Sequence, residues 1–122
     1  MSVLTDPVIG KLLVNSKIEF KMLLGQKIKE LRMENGVLQR QLASLLEIDT
    51  PMFSKIERGD RRAKRTQVVQ MANYFNVDEK ELLTLWVADK VLDAVEDESE
   101  LKSDAIKVAQ SALCNHESFH PQ

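Results

Sequence analysis

The sequence predicts an all-α protein, and two observations carry that prediction. Apolar residues recur every three or four positions along most of the chain, which is the spacing of one buried helix face, and no stretch alternates as a strand does. The 122 residues include only 4 Gly and 3 Pro, so few positions interrupt a helix. An apolar content of 43% suffices for one modest core, which predicts a single domain with an appendage.

Local signals bound the expected helices. Thr66 and Asp78 are good N-caps for the helices that follow them. Residues 1–21 are expected to form an N-terminal extension that is helical, and Met22 is an alternative start of translation. From the apolar spacing we expect helices over residues 7–20, 23–35, 39–46, 50–58, 67–75, 79–95 and 103–114.

The segment Leu38–Gly59 is the most informative part of the chain. It predicts two short helices joined by a turn, since Asp49 or Thr50 can cap the second helix and Pro51 suits its first turn. Gly59 fits the left-handed turn that stops this helix. The pattern is that of a helix-turn-helix, in which the second helix is presented to the major groove of DNA.

Charge is distributed unevenly along the chain. Residues 21–65 carry 11 Lys and Arg against 6 Asp and Glu, whereas residues 66–122 carry 4 against 11, although the net charge is only −2. This asymmetry predicts a basic face that can meet phosphate and an acidic half that avoids it. The alternative interpretation is an ordinary solvated surface.

No other function class finds support in the sequence. There is no Gly-rich phosphate loop and no nucleophile–base arrangement, so we predict neither an enzyme nor a cofactor. Cys114, His116 and His120 have metal-like spacing, but they lie in a terminal tail without a second cluster, and no metal site is expected. No stretch is apolar enough to span a bilayer, and no signal peptide is evident. With its single cysteine, the chain is expected to be cytoplasmic and without membrane contact.

Further spaced elements lie on both sides of the helix-turn-helix pattern. They are Arg32, Gly36-Val-Leu-Gln39, Leu42-Ala43, Ser54-Lys-Ile-Glu-Arg-Gly59, Met71-Ala72, and Asn76-Val77-Asp78 with Leu82-Leu83. Together they resemble the Xre-type (lambda-repressor-like) DNA-binding domains, over about half of the chain. The resemblance implies a five-helix lambda-repressor-like helix-turn-helix domain over residues 22–86, with extra N- and C-terminal helices.

The resemblance also implies roles for individual residues. Register places five positions in the groove as base-reading residues: Asp49, Thr50, Pro51, Ser54 and Lys55. It assigns Gln39 to a phosphate, and the basic residues near the second helix are expected at phosphate or in the minor groove: Arg40, Arg58, Arg61, Arg62, Lys64 and Arg65. It further implies a buried or half-buried pair between Arg32 and Glu57. We expect Glu57 to be structural, since a carboxylate facing phosphate would be repelled.

Two positions depart from the family pattern. Leu38 stands where a capping Thr is frequent, which weakens the start of the first helix of the motif. Glu47 stands where the turn is often Gly, so a residue with a side chain must take the turn conformation. The geometry of the turn therefore stays open at this point.

The acidic C-terminal segment, residues 87–122, is expected to form a dimer interface. Apolar positions continue beyond Trp86 and exceed what the domain core needs, which suggests a surface shared with a second subunit. Two recognition helices in a dimer would lie about 34 Å apart and match a palindromic site on double-stranded DNA. The alternative interpretation is that this segment folds back on its own domain.

These observations predict a sequence-specific transcriptional regulator that binds a palindromic operator as a homodimer. The motif KIERGDRRAKR followed by ELLTLW is similar to regulators associated with DNA-modification or mobile-element operons. A second hypothesis is an antitoxin-type protein that binds DNA and sequesters a partner toxin. A third is a helical scaffold that has lost DNA binding.

Overall fold

The computed structural model describes residues 23–119, and every regular element in that part of the chain is a helix. We number the six helices in chain order: α1 is Leu23–Glu34, α2 is Gln39–Leu46, α3 is Thr50–Arg58, α4 is Arg65–Phe75, α5 is Glu79–Ala94 and α6 is Lys102–Phe119. The all-α prediction is confirmed. The expected extension over residues 1–21 and its helix, like Met22, lie outside the described residues.

Helix boundaries agree with the predicted ones to within one residue except at two places. Helices α2 and α3 have the predicted bounds, whereas α4 begins two residues before the expected start, with Lys64 at its N-cap position. The Gln67 side chain accepts the Lys64 N–H at 2.9 Å, so Gln67 and not Thr66 provides the side-chain acceptor that stabilises this helix start. Helix α6 extends to Phe119, beyond the expected end at residue 114, because neither Gly nor Pro interrupts it before that point.

The turn between α2 and α3 accommodates both departures from the family pattern. Glu47 takes the left-handed conformation (φ 61°, ψ 42°), as a residue in place of Gly must. At the start of α2, Leu38 has no side-chain acceptor, but the Gln41 side chain accepts the Leu38 N–H at 2.7 Å. The Asp49 carboxylate accepts the Met52 N–H at 2.8 Å and caps α3. Gly59 ends α3 with φ 84°.

The first five helices enclose one hydrophobic core. Its largest fully buried side chains come from α1 to α5: Ile28, Leu42, Phe53, Val68, Met71 and Leu82. The small residue Ala43 is 2% exposed, and helix α2 packs on α3 and α4. At Gly25 the helices α1 and α3 approach so closely that a Cβ would overlap the backbone carbonyl of Glu57. Small residues therefore set how closely the motif helices pack.

The chain divides into two compact units between Lys90 and Val91, within α5. In the second unit, helix α6 is exposed along the part whose side chains are described, and only Ile106 is half-buried. Large apolar side chains are exposed there: Val91, Leu101, Val108 and Leu113. Among residues 23–119, no helix is both long and apolar enough to cross a bilayer.

Candidate nucleic-acid interface

Helix α3 has an inner and an outer side. Phe53, Ile56 and Glu57 are buried, whereas Thr50, Pro51, Lys55 and Arg58 are exposed and Ser54 is half-buried. The two sets follow the helical repeat, so residues 50, 51, 54, 55 and 58 lie on one side of the helix. The structure therefore brings the expected base-reading residues of α3 together on its outer side. Asp49 is exposed beside them and serves as the N-cap.

The inner side of α3 is held by an ion pair. Arg32, near the end of α1, donates from Nε to Glu57 Oε2 at 2.8 Å and from a terminal nitrogen to Glu57 Oε1 at 3.2 Å. The side chains of Arg32 and Glu57 are only 13% and 6% exposed. This is the pairing that the family resemblance implied. Since a buried carboxylate without donors would be strongly unfavourable, the fork of Arg32 stabilises this part of α3.

Gln39, the first residue of α2, belongs to the same group. Its side-chain Nε2 donates to Glu57 Oε1 at 2.7 Å. Arg32 also donates to the backbone carbonyl of Val37, between α1 and α2, at 3.1 Å. One carboxylate therefore joins the end of α1, the start of α2 and the last turn of α3. This orients the two helices of the motif relative to each other.

Arg58 has intramolecular partners on the exposed surface. It donates from Nε to Asp60 Oδ2 at 3.0 Å and from a terminal nitrogen to Ser54 Oγ at 2.9 Å. The side chains of Arg58 and Asp60 are 57% and 59% exposed, so the pair contributes little to stability. Its effect is geometric, because it holds the guanidinium along the outer side of α3.

A short basic loop, defined here as residues 60–64, joins α3 to α4. The backbone N–H groups of Asp60 and Arg61 donate to the Lys55 carbonyl at 2.8 and 3.3 Å, which ties the start of the basic loop to α3. In the middle of the loop, Ala63 is buried with 4% exposure. The Trp86 indole N–H donates to the Ala63 carbonyl at 2.7 Å. The loop is therefore attached both to α3 and to α5.

All the basic residues proposed for DNA contact are exposed: Arg40, Lys55, Arg58, Arg61, Arg62, Lys64 and Arg65. They come from α2, α3, the basic loop and the first residue of α4. Apart from Arg40, these basic residues form a run of exposed side chains that starts on the outer side of α3 and continues through the basic loop.

The sequence did not reveal three contacts that hold this surface. They are the Trp86 bond to Ala63, the close approach at Gly25, and the Asp89 carboxylate, which accepts the backbone N–H groups of Leu23 and Leu24 at 3.0 and 3.1 Å. Each joins segments that are far apart along the chain. The sequence gives a weak indication of only one of these contacts, the Trp86 bond. Trp86 is the single tryptophan, and a buried indole N–H needs an acceptor.

The other candidate chemistry lies near the C-terminus. Cys114 is an exposed free thiol. Within the described part of the chain, no group of three or more His, Cys, Asp or Glu side chains is arranged to hold a metal ion. His120 lies outside the described residues.

Comparison with known proteins identifies the domain. A family model described as a helix-turn-helix domain matches residues 23–85, which spans α1 to α4 and the first part of α5. No curated protein and no solved structure matches the chain.

Proposed function

Because the chain belongs to the helix-turn-helix domain family, we propose that it is a sequence-specific DNA-binding transcriptional regulator. One observation carries the proposal: helix α3 is braced on its inner side by a buried ion pair and exposes polar and basic side chains on its outer side. A rigid helix with solvent-accessible hydrogen-bonding groups is what readout of base edges in the major groove requires.

The outer residues of α3 are proposed to read bases. Lys55 can reach the O6 or N7 of a guanine, and Thr50 can donate or accept a hydrogen bond. Pro51 can contact a thymine methyl group, and Ser54 and Asp49 complete the groove-facing set. For Asp49 this role comes in addition to capping α3.

Phosphate or minor-groove contacts are proposed for the surrounding residues. The amide group of Gln39 has two hydrogens, so its bond to Glu57 leaves one for a phosphate oxygen at the start of α2. The basic side chains around α3 add contacts that position the protein without reading sequence: Arg40, Arg58, Arg61, Arg62, Lys64 and Arg65.

The protein is proposed to act in the cytoplasm as a homodimer on a palindromic operator. Exposed apolar residues of the second unit support this proposal, since Leu101, Val108 and Leu113 are each more than half exposed. Large apolar side chains left in water favour association. Two domains related by a two-fold axis would place their α3 helices about 34 Å apart on DNA. An operator controlling a DNA-modification or mobile-element operon fits the family resemblance of the basic segment.

Selection from random duplexes at a stated salt concentration, followed by footprinting, tests this function. We expect an enriched motif with two-fold symmetry, and we expect Lys55→Ala combined with Arg58→Ala to abolish enrichment. Lys80→Ala is the control, because Lys80 is an exposed cation on α5 that is not among the residues proposed to contact DNA. Binding that only follows ionic strength, with no enriched sequence, would refute the proposal.

The oligomeric state tests the homodimer part of the proposal. Sedimentation analysis of the full chain is expected to give a dimer that Leu101→Glu together with Val108→Glu converts to a monomer. Met33→Glu is the control, because Met33 is equally exposed but lies on α1. A wild-type monomer would contradict the homodimer and favour a role for the same apolar residues in binding another protein.

A further inference from the structure

The basic loop is short, and each of its parts is tied to the fold. Its start is tied to α3 by the two hydrogen bonds to the Lys55 carbonyl. Its end is tied to α4 by the hydrogen bond from the Lys64 N–H to the Gln67 side chain. Between them, Arg61 and Arg62 are exposed, whereas Ala63 is buried. One buried residue therefore lies in the middle of a segment whose other residues are exposed.

Trp86 donates a hydrogen bond to the backbone of this buried residue. An indole has one N–H and no acceptor, and here the N–H is donated to the Ala63 carbonyl in a buried bond of 2.7 Å. Trp86 is 9% exposed, and cations lie near the face of its ring: Lys90 Nζ is 3.9 Å from the ring centroid and the Arg65 guanidinium carbon is 5.8 Å from it. The same ring therefore contacts Arg65, the residue that follows the basic loop.

We propose that Trp86 is a positioning residue for DNA binding, which sets the place of the basic loop through the Ala63 carbonyl. The inference rests on the proposed function, because it assumes that the loop contacts DNA. Trp86 is buried behind the loop and touches no DNA itself. Its contribution is preorganisation: cations held in place before the encounter lose less conformational freedom on binding.

The proposal predicts a particular pattern of DNA binding. Each phosphate neutralised by a cation releases counterions, so the number of phosphate contacts appears in the salt dependence of the affinity. Loss of a loop contact should lower the affinity for all sequences and reduce the salt slope by about one. The preference among bases should stay the same, since the outer side of α3 keeps its residues and its brace.

Trp86→Phe is the direct test, because phenylalanine keeps an aromatic ring but lacks the N–H. Fluorescence anisotropy with the selected duplex, titrated at several salt concentrations, is expected to show about tenfold weaker binding and a salt slope smaller by about one. Ile28→Val is the control. Ile28 lies on α1 and is fully buried in the hydrophobic core, so its substitution should lower stability and leave the basic loop unchanged. This control should keep the wild-type affinity and slope.

The outcomes separate the two proposals. If the wild-type protein selects no sequence, the proposed function fails. If the wild type binds its selected duplex and Trp86→Phe binds it equally well with the same slope, only the role of Trp86 is overturned.

A measurement on the wild-type protein covers the case in which Trp86→Phe does not fold. Since Trp86 is the single tryptophan, its indole N–H gives one assignable resonance in the proton NMR spectrum. We expect this N–H to exchange slowly with solvent and more slowly still with DNA bound. Exchange as fast as that of a free indole, or unchanged by bound DNA, would contradict the proposal.

Discussion

Removal of Arg32 should destabilise the domain more than removal of any surface charge, and the structure indicates by how much. In Arg32→Met the Glu57 carboxylate, whose side chain is 6% exposed, loses two of its three donors and keeps only Gln39. Breaking a buried pair in this way typically costs about 3–5 kcal/mol. The remaining Gln39 bond and the 13% exposure of the Arg32 side chain favour the lower end of that range, about 3 kcal/mol.

The assay is urea unfolding followed by far-UV circular dichroism, with thermal unfolding beside it. For a domain of this size, about 3 kcal/mol corresponds to a lowering of Tm by about 15 °C. The matched control is Lys27→Met. It removes a 3.5 Å ion pair to Glu81, in which the two side chains are 27% and 51% exposed, and should cost at most about 1 kcal/mol.

A second substitution tests the cause of the loss. In Arg32→Met combined with Glu57→Leu the unpaired carboxylate is gone, so stability should return to within about 2 kcal/mol of the wild type. The reasoning is refuted if Arg32→Met unfolds at the wild-type urea concentration. It is also refuted if the double variant is less stable than Arg32→Met alone, because an uncompensated charge would then not be the source of the loss.

Three further predictions concern other parts of the structure. Gly25→Ala places a methyl group on the backbone carbonyl of α3 and should lower the free energy of unfolding in urea by about 2 kcal/mol; a more stable variant would show that α1 can shift. Glu47→Gly removes the strain of a left-handed residue (φ 61°) and should raise the free energy of unfolding by about 0.5–1 kcal/mol in the same assay. Asn76→Gly (φ 59°) should change it little, since Asn tolerates this conformation, and equal gains for the two variants would contradict the strain argument. Lys55→Ala should weaken anisotropy-measured binding to the selected duplex by about 1–3 kcal/mol and relax the preference at one base pair; uniform weakening across all sequences would instead make Lys55 a phosphate contact.

The helices of the motif could be predicted from sequence because their limits depend on nearby residues. Asp49 and Pro51 mark the start of α3 and Gly59 marks its end, all within or next to the helix itself. The predicted start of α4 is two residues too late because Thr66 is the better cap by residue type. The structure uses the Gln67 side chain to accept the Lys64 N–H, which allows an earlier start.

The support of the site could not be predicted in the same way. The acceptor of the Trp86 N–H is a backbone carbonyl, and any residue type can provide one. The Asp89 carboxylate accepts the two backbone N–H groups at the start of α1, more than 60 residues away, and no local pattern links them. Such contacts follow from how the helices pack. The Arg32–Glu57 pair was different, because the family resemblance linked two residues that spacing alone would not have connected.

Under the proposed function, the separation of the two sides of α3 has a consequence for how the DNA preference can change. Thr50 and Lys55 are exposed and take no part in the core, so their substitution should alter stability by about 0.5 kcal/mol or less. Glu57 and its donors, by contrast, keep the helix in place whatever its outer residues are. New DNA preferences can therefore arise one substitution at a time without passing through unfolded intermediates. The same independence makes this domain a practical scaffold for libraries in which the outer positions alone are varied.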